Sequence, residues 1–280
     1  VAAGTQDGEE VAVGDDGTHP GCDLAGATPD GGVRVVVVIP ALDEEESLPQ
    51  VLASIPRAWC HRVVVADNGS SDGTAAAARE GGALVVHEPR RGYGAACLAG
   101  VRQAGEADIL VFLDADNSDD PRELPLLVAP LLRKEADLVI GSRTLGRRER
   151  GALLPHARLG NAVAGLLVRL LLGTRITDLG PFRALTAEAY RRIAPTHPGY
   201  GFPMQTQARA IALGLRVVEV PVSYRRRLGR SKISGTLRGT CLAGWAIITT
   251  ILAEWWRARS RRRGAGSPSP GPSDPARRNG

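Results

Sequence analysis

Short apolar blocks recur along this chain from residue 33 onward, separated by stretches whose polar positions follow a helical rhythm. Residues 33–39 are a β-branched run, the mark of a strand buried on both faces. A helical pattern follows from Glu45 to about Ile55, and residues 62–66 are a second strand. Asp72-Gly73-Thr74 opens a short alanine-rich helix that stops at Gly81-Gly82. Residues 83–87 read as a third strand, 94–104 as a helix, 109–113 as a fourth strand and 138–142 as a fifth. Strand–helix alternation with short connections predicts an α/β fold with a mostly parallel central sheet flanked by helices. The second half is less regular. It predicts an apolar helix over about 157–172, strands at 182–185 and 215–220 around a helix at 205–213, and a C-terminal helical segment at 237–256 with three tryptophans.

Composition sharpens the boundaries. Residues 1–32 hold several Asp and Glu and no Lys or Arg, whereas the end from Arg257 is rich in Arg, Pro, Ser and Gly. Neither end has enough apolar residues to offset chain entropy. The expected organisation is a disordered acidic segment over 1–32, one domain over 33–235, an amphipathic or packing helix over 236–256, and a disordered tail over 257–280. With 280 residues and 43% hydrophobic content, the middle of the chain can bury a full core. The net charge of +5 is partly a property of the tail, which can meet anionic lipid or simply be solvated; no nucleic-acid partner is expected. Cys22, Cys60, Cys97 and Cys241 lack metal-ligand spacing and read as free thiols of a reducing compartment. No basic-then-apolar leader is visible, and neither 162–172 nor 241–253 reaches the roughly 20 apolar residues of a spanning helix. The expectation is a cytoplasmic protein, with association at the cytoplasmic membrane face left open.

The strongest chemical signal is Asp114-Ala115-Asp116, just after the fourth strand. Residues i and i+2 of an extended chain point the same way, so both carboxylates leave on one side. They repel unless something positive lies between them, and a hard divalent cation completed by phosphate oxygens answers that need. Strand one runs into Pro40-Ala-Leu42-Asp43-Glu44, and strand two into Asp67-Asn68-Gly69-Ser70-Ser71-Asp72-Gly73-Thr74. Three strand ends thus bring acids to one sheet edge, where ligands collect in open α/β folds. Glu44 and Asp67 are placed to accept hydrogen bonds from a base or ribose. Asp72 and Thr74 read first as helix capping, and Asn68-Gly69 as a turn.

Together these segments resemble glycosyltransferase family 2, of the GT-A fold, most of all its dolichyl-phosphate mannose synthases and bacterial polyprenyl-phosphate sugar transferases. The likeness continues through Arg91-Gly92-Tyr93-Gly94, Gly141-Ser142-Arg143, Thr177-Asp178-Leu179-Gly180-Pro181-Phe182-Arg183 and Arg226-Arg-Leu-Gly229-Arg-Ser231-Lys232. It implies that Pro40, Leu42, Glu44 and Asp67 line the base and ribose, and that Asp114, Ala115 and Asp116 meet the nucleotide. Asp116 would hold Mg²⁺ or Mn²⁺, with Ser118 standing where relatives often carry a Gln ligand; Asn117 or water can take that place. Arg143, Arg226 and Lys232 match positions that hold diphosphate or acceptor phosphate. The chain departs from the pattern at Leu42, often an aromatic, and at Gln205, often a Glu. A phosphate acceptor is already a nucleophile and needs no base. The implied activity is metal-dependent transfer of a sugar, with inversion, from a nucleoside diphosphate sugar to a polyprenyl phosphate. The rivals are a small soluble acceptor, favoured by the lack of spanning helices, and a non-catalytic sugar-nucleotide-binding protein.

Overall fold

The computed structural model describes residues 29, 32–149, 151–152, 155–228 and 237–264. Among them, strands β1 (Val35–Ala41), β2 (Arg62–Asp67), β3 (Leu84–His87), β4 (Ile109–Phe112), β5 (Leu138–Ser142), β6 (Arg183–Thr186) and β7 (Val217–Pro221) form one sheet in the order β3-β2-β1-β4-β6-β5-β7. β1 lies between β2 and β4, and these pairings, like β2–β3 and β5–β7, are parallel. Only β6 runs against its neighbours β4 and β5. Apolar periodicity marks a strand but not its direction, so the reversal was invisible in the sequence.

Both faces of β1 are buried, which is why its residues read as a continuous apolar run. Val35, Val37 and Ile39 pack with Leu48, Val51 and Leu52 of helix α1 (Leu48–Ser54) and with Leu124 and Leu127 of α4 (Leu124–Leu132). Val36 and Val38 face the other layer, with Cys97 of α3 (Tyr93–Gln103), Ile193 of α6 (Ala187–Ile193) and Phe202 of α7 (Phe202–Ala212). The short α2 (Thr74–Glu80) follows β2. α4 went unmarked in the sequence because it is apolar all round and carries Pro125 and Pro130, which removes both the amphipathic stripe and the usual helix composition.

A third cluster joins α5 (Pro155–Leu172), α7 and α8 (Leu237–Gly264) through Val168, Met204, Ala208, Ile247 and Ile251. On α8, Glu254 is buried and accepts from Gln205 Nε2 (3.1 Å) and Arg209 Nε (3.0 Å). The C-terminal helix therefore packs on the domain. It also continues to Gly264, past residue 256 where disorder was expected, because Arg and Ala are good helix formers and Arg257 pairs with Glu254 one turn back. Its opposite face leaves Trp245 (67%), Leu252 (45%) and Trp256 (66%) exposed. No helix among the described residues is long and apolar enough to cross a membrane.

Candidate active site

β1, β2 and β4 end side by side, and the loops leaving them are stitched together by the acids singled out above. Asp43 Oδ1 accepts from Ser71 N (2.6 Å), and Glu45 Oε2 accepts from Gly73 N (2.6 Å). In return, Glu44 N donates to Thr74 Oγ1 (2.7 Å) and Glu45 N to Asp72 Oδ2 (3.2 Å). Asp72 also accepts from Thr74 N and Oγ1, the capping role expected of it, one residue ahead of the formal cap Gly73. The Asp-Glu-Glu and Asp-Gly-Thr signatures are thus largely a mutual brace. Glu44 alone of the first trio turns to the cleft, with Ser47 Oγ donating to its Oε2 at 2.7 Å.

The cleft is walled by Pro40, Leu42, Glu44, Asp114, Ala115 and Asp116, and also by Asn68, Arg91, Tyr93, Tyr200 and Arg227. Asp67 stands behind that wall; its carboxylate accepts from Ser70 N (2.9 Å) and meets His87 Nδ1 (3.3 Å). Its neighbour Asn68 does more to shape the cleft. Asn68 Nδ2 donates to the carbonyls of Glu88 (2.9 Å) and Arg90 (2.7 Å), and its Oδ1 accepts from Gly92 N (2.8 Å). Gly92 and Gly94 are required at the start of α3 by a close backbone approach: a Cβ on Gly94 would sit 2.0 Å from the His197 carbonyl oxygen, and Gly92 has φ +143°.

Asp114 and Asp116 do leave β4 into the same cleft. Tyr93 Oη donates to Asp114 Oδ1 at 3.1 Å. Burial, with the Asp116 charge next, pushes the Asp114 carboxyl up to about 7. Asp116 Oδ1 accepts from Ser118 N (2.9 Å) and Oγ (2.5 Å), so the Ser118 hydroxyl gives its hydrogen to Asp116. Asp119 adds a third acid at 1% exposure; neither carboxylate oxygen has a hydrogen-bond partner, and burial holds its carboxyl well above the usual range. Sequence reading passed over Asp119, since Asp119-Asp120 before Pro121 looks like an ordinary solvated turn.

The three predicted cations separate. Arg143 is half-buried in a bidentate pair with Asp178 (Nε–Oδ2 2.7 Å, Nη2–Oδ1 2.7 Å), with the Tyr224 ring 4.9 Å away. Burial works against the pair, yet Arg143 holds Asp178 below the ordinary carboxylate range. Arg226 does not line the cleft: its backbone N donates to Glu149 Oε2 (2.8 Å) and its guanidinium lies beside Gly151. Lys232 lies outside the described residues. Two other arginines, Arg91 and Arg227, do line the cleft; Arg227 lies with Nη2 3.2 Å from Glu44 Oε1 and Nη1 3.4 Å from Asp116 Oδ2. The segment around it docks along the acidic loop, Arg225 N donating to Ser118 O (2.8 Å) and Leu228 N to Asp116 O (2.9 Å). Side chains alternate along an extended segment, so Arg225 and Arg227 face the acids and Arg226 faces away.

Residues 36–193 match the family model described as glycosyl transferase family 2. The chain is a family 2 glycosyltransferase. It is 44% identical to an uncharacterised glycosyltransferase of Mycobacterium tuberculosis, over 78% of this chain and 99% of that one. An undecaprenyl-phosphate mannosyltransferase of Micrococcus luteus is 36% identical over 82% of this chain and 99% of its own length. That is the branch of the family which the motifs resembled. Among solved structures, glucosyl-3-phosphoglycerate synthase from Mycobacterium tuberculosis, in complex with Mn²⁺, UDP and glucosyl-3-phosphoglycerate, superposes with TM-score 0.69 at 26% identity, covering 85% of this chain and 86% of that one. The expected GT-A fold is present. In this glycosyltransferase the acids of the motif stand at the carboxyl ends of β1, β2 and β4, as the sequence placed them.

Proposed function

We propose that this glycosyltransferase moves one sugar, with inversion, from a nucleoside diphosphate sugar to a polyprenyl phosphate, with Mg²⁺ or Mn²⁺ at Asp116. The observation that carries the reading is one cleft in which Asp114, Asp116, Glu44 and Arg227 face each other at the strand ends. The acids fit a cation. Asp114 and Asp119 are raised by burial first and by the charge of the neighbouring acids second, an arrangement that a cation between the carboxylates would relieve. Among the described residues, no three His, Cys, Asp or Glu side chains gather as a ready metal cage. That suits a cation brought in by diphosphate and keeping its water, as Mg²⁺ does. When bound, such a cation neutralises charge on the departing diphosphate. The protein supplies the rest: Pro40 and Leu42 flank the base, Glu44 accepts from the ribose, and Asp67 and Asn68 hold the loop they lean on. Arg143, committed to Asp178, steadies the acids from behind, and of the two remaining predicted cations only Lys232 is kept for the acceptor phosphate, because Arg226 faces away from the cleft.

The acceptor assignment draws on the undecaprenyl-phosphate relative and on the exposed Trp245–Leu252–Trp256 stripe, followed in sequence by arginines. An apolar aromatic face with a basic flank suits an anionic membrane surface. Gln205 takes nothing from the reading. Its Oε1 accepts from Thr196 N and His197 N, and its Nε2 donates to Glu254, so it braces α7 against α8 and is no lost base. Likeness to glucosyl-3-phosphoglycerate synthase favours a second reading, a small phosphorylated acceptor. Mass spectrometry of reactions supplied with undecaprenyl phosphate in detergent, or with 3-phosphoglycerate, separates the two. Asp116→Asn tests the donor site: the fold should persist, while calorimetry with Mn²⁺ and a panel of sugar nucleotides should show donor affinity and turnover collapsing. Wild-type affinity and turnover in that variant would remove Asp116 from the site.

A further inference from the structure

Arg227 is a charged cleft residue to which the motifs gave no role, and its surroundings assign it a task. Its guanidinium spans the cleft from Glu44 to Asp116, and its Nε is buried without a hydrogen-bond partner. Asp116 Oδ1 already accepts two hydrogen bonds from Ser118, so Oδ2 is the oxygen left for an incoming cation, and Arg227 Nη1 covers it at 3.4 Å. The backbone on either side is pinned to the acidic loop at Ser118 O and Asp116 O. Moving Arg227 therefore requires only side-chain rotation.

We infer that Arg227 is a built-in counter-ion that makes metal binding conditional on the nucleotide. Without donor it offsets part of the charge of Asp116 and Glu44 and disfavours a bare divalent cation, because guanidinium and metal compete for one carboxylate oxygen. A nucleoside diphosphate arriving with its cation changes the balance: the cation takes Asp116, and Arg227 turns to the diphosphate, whose oxygens suit its planar fork. Asp116 then has the cation and Arg227 the diphosphate, so the carboxylate and the guanidinium each exchange one opposite charge for another. Metal and nucleotide then bind cooperatively, each strengthening the other by the same factor.

This inference rests on the donor site proposed above, and opposed shifts in two affinities test it. Mn²⁺ alone, followed by electron paramagnetic resonance, should bind Arg227→Gln roughly fivefold more tightly than wild type, the weight of a partly exposed ion pair. UDP, GDP or ADP titrated in the presence of Mn²⁺ should bind the same variant roughly tenfold more weakly, for loss of a charge-assisted contact. Arg227→Lys, which keeps the charge, should restore wild-type weakness toward bare Mn²⁺. A residue with only a structural role would move both affinities the same way. Equal Mn²⁺ affinity in wild type and Arg227→Gln, or parallel weakening of metal and nucleotide, overturns the inference. Failure of wild type to bind any of the nucleotides with Mn²⁺ instead defeats the donor-site reading, and the Mn²⁺-only comparison still decides whether Arg227 competes for Asp116.

Discussion

Arg91 and Gly92 reach the cleft on a loop held by two polar side chains, Asn68 and Glu88. Glu88 is buried at 4% exposure and binds Arg90 Nε (3.0 Å) and Arg102 Nη2 (3.0 Å), joining the loop to α3. Hydrogen bonds from Arg90, and then from Arg102, lower its carboxyl from 4.5 to about 2. A carboxyl depressed in the fold contributes stability that is fully present above the unfolded value and is lost as pH falls through the folded one. The contribution of Glu88 is therefore complete above pH 4.5 and disappears toward pH 2. Glu88→Gln should flatten the melting temperature against pH over that window, as read by circular dichroism; an unchanged slope would mean that the clamp carries no stability. None of this clamp was legible beforehand, because Glu88, Arg90 and Arg102 look like ordinary surface charges until β3 and α3 are side by side.

At the scale of elements, α8 has two apolar faces with separate duties. The inner face, Ile247 and Ile251, closes a core with α5 and α7. Ile251→Ala should cost about 2–5 kcal/mol in chemical denaturation, the usual range for emptying a filled site. The outer face, Trp245, Leu252 and Trp256, contributes nothing to that core. Replacing both exposed tryptophans with Ser should leave the denaturation midpoint nearly unchanged but reduce flotation with anionic vesicles at low salt. Equal flotation of the variant and wild type would detach the membrane contact from α8. The sequence offered packing and membrane contact as alternatives for this helix. Apolar residues all round fit both, and only the neighbours α5 and α7 show which side is core.

For the whole molecule, a true donor must stabilise the fold by mass action. A sugar nucleotide with Mn²⁺ at a hundred times its dissociation constant should add about 2.7 kcal/mol, visible as a raised melting temperature, and Asp116→Asn should lose that shift. A panel in which no sugar nucleotide raises the melting temperature would count against the donor site. The succession of strands and helices along the first half of the chain, the acids at the strand ends and the family motifs were legible in the sequence because they are local. Val35–Ala41 and Ile109–Phe112 are buried by their own composition, and the acids follow them directly in the chain. The reversal of β6, the all-apolar α4 and the choice of Arg227 over Arg226 were decided by tertiary structure alone. Direction, neighbour and facing side depend on which distant segment packs where. Arg225, Arg226 and Arg227 are chemically identical, and only docking against Asp116–Ser118 gives one of them the cleft.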